Sequence, residues 1–248
     1  MSSEGLRQTD DLSAAAWIAP RLGAFGSGVG GVIPAGFEAY ARILHPAESA
    51  ANEPVRWDSV AAACGKVAHP LMQFHTVVGV APTEHDVDTG TWAGSVPEDG
   101  TLEPLSLAAL LDVLARHTDV SQRCWCCLWE GYGWPFGTER STGVGAPRIE
   151  FDARVELPQR KYVLFGGPLT AALELGHWPT PNWFLPHSPN LFWPGDLSWC
   201  VATEIDLFCT YVGGSRALID DLLADERLEA WEAHLEDPIS DDSDVLNR

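Results

Sequence analysis

Two carboxylates in the last quarter of the chain, Glu204 and Asp206, have the spacing of paired functional groups on a β-strand. Side chains two residues apart share one face of a strand, and the strand rise places these two about 7 Å apart. Such a pair can bind a cation, or divide the roles of general acid and general base. It can equally face solvent or form ion pairs with an arginine elsewhere in the chain, with Arg42, Arg56 and Arg154 as the candidates.

The eight histidines offer little support for a metal centre beside this acidic pair. They are scattered, and no His-x3-His or His-Glu-x2-His spacing occurs among them. The sequence therefore predicts no metal and no cofactor. If the protein is a metal-assisted hydrolase, Glu204, Asp206 and His187 are the candidate ligands. Whether the protein is an enzyme stays open.

A tryptophan-rich segment precedes the acidic pair and continues into it. Trp178, Trp183, Trp193 and Trp199 all lie between positions 176 and 215. Tryptophan fills a core or lines a recognition surface. A proline follows Trp178 and Trp193, and prolines disfavour regular sheet, so these two are expected to be partly exposed. The sequence predicts a ligand- or partner-binding surface made of the four tryptophans with Glu204 and Asp206, and core packing is the alternative.

The charge of the chain limits which partners it can have. The 248 residues contain 15 Lys and Arg and 35 Asp and Glu, which gives a formal net charge of −20. Nucleic acids and anionic membranes require positive surface, so neither is expected as the main partner. The expected partner is a protein or a small molecule, or a second copy of the chain. No basic and apolar leader and no apolar run of about 20 residues is seen, which predicts a cytoplasmic protein.

The six cysteines are then expected to be reduced thiols. Cys124 and Cys127 have the two-residue gap of a zinc ligand pair, but no second such pair exists elsewhere in the sequence. Their surroundings, CWCCLWEGYGW, indicate a buried strand in which cysteine acts as a small hydrophobic residue.

The elements that position these residues follow from hydrophobic periodicity. Leucines at helical spacing predict a helix capped by Ser106 and a second helix capped by Ser215. Strands are predicted at 124–129, 149–157, 161–165 and 199–211. Because the strands follow one another in sequence, we expect an α+β fold, a single domain with a mainly antiparallel sheet packed by a few helices. Residues 1–31 are expected to be loose, 32–235 to form the domain, and 236–248 to be an acidic tail.

Several segments together resemble a family of uncharacterised actinobacterial proteins. They are FEAYARILHPA, VRWDSVAAACG, CWCCLWEGYGW, KYVLFGGPL and SPNLFWPGDLSWCVATEIDLFCTYVGGSRALIDDLL. The resemblance spans Val32 to Trp231 and is most specific from Ser188 to Ser215. It implies no catalytic residue, because no activity is established for that family. Family members often have an arginine after the Trp-Pro-x-Asp motif, whereas Leu197 follows Asp196 here.

A weaker resemblance concerns the Ile-Pro-x-Gly-Phe-Glu-x-Tyr motif that begins at Ile33. With the α+β order of elements, it is similar to the SUKH-type immunity proteins that neutralise toxins. The sequence thus favours a non-enzymatic binding module that uses a tryptophan-rich surface and an acidic pair. The alternatives are a metal-assisted hydrolase and a toxin-immunity protein, for which the negative charge would steer association with a basic toxin.

Overall fold

The computed structural model describes residues 5–80, 90–119, 123–133, 149–180 and 182–248. The strands in these ranges are β1 (Arg7–Gln8), β2 (Ala39–Leu44), β3 (Ala47–Glu48), β4 (Pro54–Val55), β5 (Cys124–Trp129), β6 (Val155–Leu157), β7 (Arg160–Gly167), β8 (Gly176–Thr180), β9 (Trp183–Pro186), β10 (Leu191–Pro194), β11 (Cys200–Ala202), β12 (Cys209–Gly214) and β13 (Ala230–Ala233). The α-helices are α1 (Trp57–Ala63), α2 (Phe74–Val78), α3 (Pro104–Arg116) and α4 (Arg216–Ala224). Short 3₁₀ turns lie at Ser13–Ala15, Ala19–Arg21, Val29–Gly31, Glu130–Tyr132, Leu169–Glu174 and Asp241–Ser243.

One large antiparallel sheet organises the molecule. In the described ranges it has nine strands, in the order β1-β7-β5-β10-β11-β12-β2-β13, with β6 also paired to β7. The β3–β4 and β8–β9 hairpins each form a separate two-stranded sheet. The predicted single α+β domain with a mainly antiparallel sheet is therefore confirmed.

The sheet separates two hydrophobic cores. Alternation along β2 shows the division, since Ala41 and Ile43 belong to one core while Tyr40 and Leu44 belong to the other. Helices α3 and α4 cover the first face with their leucine stripes. Helices α1 and α2 and the N-terminal turns cover the second face. The central strands β10, β11 and β12 are therefore buried on both sides.

The two terminal segments pack against the domain, in contrast to the loose N-terminal segment expected from the sequence. In residues 5–31, strand β1 pairs with β7, and the side chains of Ile18 and Val29 are buried in the core. Burial of these apolar side chains holds the segment against the domain. In the acidic tail, Asp244 and Asn247 are buried, and Asp244 accepts a hydrogen bond from His69 Nε2 at 2.8 Å.

Several local predictions are confirmed and others are wrong. Strand β5 and the Ser215 cap are as expected, with Ser215 Oγ accepting from Leu218 N at 3.2 Å. The cap of α3 is Glu103, because its carboxylate accepts from the backbone N–H groups of Leu105 and Ser106 at 2.8 and 2.7 Å. The strand predicted over 149–157 is limited to 155–157, and the one predicted over 199–211 is divided into β11 and β12.

Candidate functional site

Glu204 and Asp206 lie in the connection between β11 and β12, so the argument that placed them on one face of a strand is wrong. They nevertheless converge on one side chain. Arg160 Nη2 donates to Glu204 Oε1 at 2.6 Å and to Asp206 Oδ2 at 2.7 Å. Arg160 Nε also donates to Glu204 Oε1 at 3.1 Å. The arginines proposed from the sequence as partners of this pair are replaced by Arg160, which is the first residue of β7.

Two aromatic rings complete what we call the Arg160 cluster, defined as Phe25, Trp129, Arg160, Glu204 and Asp206. The guanidinium carbon of Arg160 lies 5.0 Å from the centre of the Phe25 ring and 5.8 Å from that of Trp129. Both separations are within the range of cation–π attraction. The guanidinium therefore occupies the place between the two acids that a bound cation would need.

The two acids of the cluster differ in their environment. The side chain of Glu204 is 14% exposed and that of Asp206 is 70% exposed. Burial raises the pKa of the Glu204 carboxyl, and the hydrogen bonds and charge of Arg160 oppose that effect. Asp206 stays open to solvent on one side. This arrangement holds Glu204 in place and leaves Asp206 able to contact a second molecule.

A small cavity adjoins the cluster. It has a volume of about 20 Å³, and its polar lining includes Arg160, Tyr162, Asn190, Thr203 and Glu204. A volume of this size accommodates about one water molecule. The cavity therefore has no room for an organic substrate beside the acidic pair.

His187 does not join the acids. It shares a hydrogen bond with Thr101 Oγ1, and its ring centre lies 4.1 Å from that of Tyr132. Burial, with a smaller contribution from His177, lowers its pKa to about 4, so the ring is neutral at pH 7. Among the residues that the structure describes, no group of three or more His, Cys, Asp or Glu side chains is placed to hold a metal ion.

Two of the four tryptophans that were predicted to form the binding surface are core residues. Trp193 and Trp199 are fully buried, on opposite faces of the central sheet. Trp193 packs on Trp17 with ring centres 5.9 Å apart, and Trp199 Nε1 donates to Thr118 Oγ1 at 2.8 Å. The expectation that Trp193 is partly exposed is wrong because Pro194 ends β10 without removing the tryptophan from the sheet.

Trp178 and Trp183 lie on the β8–β9 hairpin, which we call the aromatic hairpin and define as the strands Gly176–Thr180 and Trp183–Pro186. The Trp178 ring packs at a tilt against that of Phe184, with ring centres 5.2 Å apart. Trp183 is 55% exposed, which is unusual for a large aromatic side chain. In the ranges described, this hairpin pairs only with itself and belongs to neither edge of the large sheet.

Tyr132 links the hairpin side of the molecule to the sheet. Its ring contacts that of His187, which follows β9, and that of Trp129 in the Arg160 cluster at 5.2 Å. Its hydroxyl donates to the carbonyl of Gly100 at 3.1 Å and accepts from Asn190 Nδ2 at 3.0 Å. A continuous set of contacts thus connects His187 with the acids.

Sequence reasoning missed Arg160, Tyr132 and Asn190. These residues come from β7, the turn after β5 and the start of β10, which are far apart in sequence. Their convergence depends on strand order, which local periodicity does not reveal. One signal was available: Arg160 is among the few cations of an acidic chain and lies beside a predicted strand.

The cysteines fit the prediction of a buried strand. Cys124, Cys126 and Cys127 are buried in β5, and the chain's six cysteines are all free thiols. Burial raises the pKa of the Cys124 thiol to about 11, so it stays protonated at neutral pH. These thiols are therefore packing groups rather than nucleophiles.

Among the residues that the structure describes, none of the helices is long and apolar enough to span a bilayer. Comparisons with known proteins return no relative: no family model matches the chain, and no curated protein and no solved structure matches it.

Proposed function

We propose that this protein is a non-enzymatic binding module that recognises a basic segment of another protein, with the exposed tryptophan of the aromatic hairpin and the exposed Asp206 as contacts. The observation that carries the proposal is the exposure of Trp183, 55%, on a hairpin outside the large sheet. The other three tryptophans of the predicted surface are less exposed, since Trp178 is half-buried and Trp193 and Trp199 are buried. Exposed tryptophan is a frequent anchor residue of protein interfaces.

Charge supports a basic partner. The chain has a formal net charge of −20, and Asp206 of the Arg160 cluster is largely exposed. A negative surface raises the association rate of a positive partner and rejects acidic ones. A toxin-immunity protein is a specific form of this proposal, in which the basic partner is a toxin.

The metal-assisted hydrolase is the weaker candidate. Glu204 and Asp206 both bind Arg160, and His187 is bonded to Thr101 instead of facing them. A metal would have to displace the guanidinium from a contact in which Glu204 is largely buried. Binding is the chemistry that the arrangement favours.

We further propose that the protein acts in the cytoplasm. Its six cysteines are free thiols, and five of them are buried. Free thiols without disulfides are typical of a reducing compartment.

Selection of peptides tests the proposal. Random phage-displayed peptides are selected on the immobilised full chain, and the enriched peptides are synthesised and their affinities measured by calorimetry. We expect peptides rich in Lys and Arg whose affinity falls at least about tenfold with Trp183→Ala. Leu173→Ala, which shortens another exposed apolar side chain, is the matched control and should change affinity less than about twofold.

Two results would overturn the proposal. The first is a selection without enrichment of basic residues. The second is a selected basic peptide that binds Trp183→Ala as tightly as the native chain.

A further inference from the structure

A second concave region lies away from the predicted residues. It is a cleft of about 490 Å³ bounded by the β3–β4 hairpin, the first turns of α3 and the connection from α4 to β13. We call it the charged cleft. Its volume falls in the range of small-molecule sites in proteins.

The walls of the cleft are mainly apolar. Leu44, Pro46, Pro54 and Val55 form one side, and Leu105 of α3 lies on the other. Leu105 is 72% exposed although it occupies a helix that otherwise buries its leucines. An apolar chain entering the cleft would remove this side chain from water, which favours binding.

A buried carboxylate also lines the cleft. Glu229 is only 6% exposed, and its carboxylate accepts from the backbone N–H groups of Trp57 and Asp58, the latter at 2.9 Å. Each oxygen takes one of these bonds, and a carboxylate oxygen can accept two. Glu229 therefore retains acceptor capacity toward the cleft. Burial raises the pKa of this carboxyl, and the bonds from the two backbone N–H groups and the positive charge of Arg56 oppose that effect.

The cations of the cleft are already paired with acids. Arg56 Nε donates to Asp58 Oδ2 at 3.0 Å. Arg227 bonds Asp225 and Asp112, each at 2.7 Å. None of these three aspartates lines the cleft, whereas Glu103, Glu226 and Glu229 do. With two arginines and three glutamates among the lining residues, the formal net charge of the lining is −1.

We propose that the charged cleft binds a small organic cation, a primary ammonium group on an apolar chain. The ammonium group pairs with Glu229, and the chain lies between Val55 and Leu105. The size of the cleft, its apolar walls and its negative charge each fit this class of ligand. The proposal is independent of the aromatic hairpin.

Calorimetry with a homologous set of probes tests it. Hexylamine, hexanol and hexanoate share one alkyl chain and differ in the charge of the head group, and each is titrated into the full chain. We expect saturable binding of hexylamine at pH 7 and at least about tenfold weaker binding of the other two. Equal binding of hexanol would overturn the proposal, because the cleft would then recognise only the apolar chain.

Variants locate the binding. Glu229→Gln should weaken hexylamine binding at least about tenfold. Because Glu229 also bonds the start of α1, a second variant fills the space instead: Ala108→Leu, on the partly exposed side of α3, should block binding and leave the fold intact. Asp242→Asn removes one negative charge at an exposed site elsewhere and is the control, with an effect below about twofold.

Three further outcomes decide the matter. Affinity for hexylamine should fall as pH is lowered toward 4, because protonated Glu229 no longer pairs with the cation. If Ala108→Leu binds hexylamine like the native chain, the site lies elsewhere and the proposal is wrong. If a lysine-rich peptide binds the cleft while hexylamine does not, the small-molecule proposal is also wrong.

Discussion

Trp183 and Trp193 are ten residues apart and have opposite environments. Trp193 lies in β10, between two strands of the large sheet, and is fully buried. Trp183 lies in a hairpin that joins no other strand in the described ranges and is more than half exposed. The difference teaches that position relative to the sheet and its two cores, not residue type, decides which aromatic residues are available for recognition. The interior of the sheet supports the fold, and its periphery is available for partners.

Alanine substitution at the two tryptophans should show the largest contrast. Trp193→Ala leaves a large cavity in the core and should reduce the free energy of unfolding by about 3–5 kcal/mol. Trp183→Ala should change it by no more than about 0.5 kcal/mol. Urea unfolding followed by circular dichroism measures both. Similar losses for the two variants would mean that the hairpin is as much a part of the folded core as β10.

Lowering the pH probes the interior in a second way. His45 is buried, with Nδ1 bonded to the carbonyl of Glu98 at 2.7 Å and Nε2 to Thr210 Oγ1 at 2.9 Å. Burial lowers its pKa from 6.5 to about 4, so the unfolded chain binds a proton more readily than the folded one. The contribution of neutral His45 to the free energy of unfolding is complete above about pH 6.5. It is lost as the pH falls to about 4, by on the order of 3 kcal/mol.

The variant His45→Gln isolates this contribution. The raised pKa of Glu204 and of Glu229 acts in the opposite direction, because those carboxyls take up protons more readily when folded. Comparing unfolding of the native chain and His45→Gln at pH 7 and pH 4.5 removes that shared effect. The variant should lose less stability on acidification; an identical pH dependence would contradict a neutral, buried His45.

The two acids on Arg160 should give the smallest contrast. Glu204→Gln weakens a mostly buried ion pair and should cost about 1–3 kcal/mol of unfolding free energy. Asp206→Asn changes an exposed contact and should cost between about 0 and 1 kcal/mol. Chemical unfolding at low and high salt measures both, and only the Asp206 contact should weaken markedly with salt. If Asp206→Asn lowered the free energy of unfolding more than Glu204→Gln, Asp206 and not Glu204 would be the main structural partner of Arg160.

Local pattern was sufficient for the elements that a continuous apolar run or a capping residue marks by itself. Strand β5 and helix α4 begin where their apolar runs and cap predict, and the α+β class follows from the succession of strands. The turn after β11 was missed because apolar residues continue through Phe208 without a glycine or proline to mark it. Glu204 and Asp206 were selected on a strand spacing that the structure does not have, and their shared partner Arg160 could be found only from the strand order.

Strand β7 has a further consequence for how this protein can associate. Its outer edge is paired with β6 from 160 to 162 and with β1 at 165 and 166, and Thr9 N bonds the carbonyl of Leu164 at 3.1 Å. Little of its backbone is left for an incoming strand, so the protein is protected at this edge against templated β-aggregation. A partner at this edge would have to be recognised through side chains rather than by extension of the sheet.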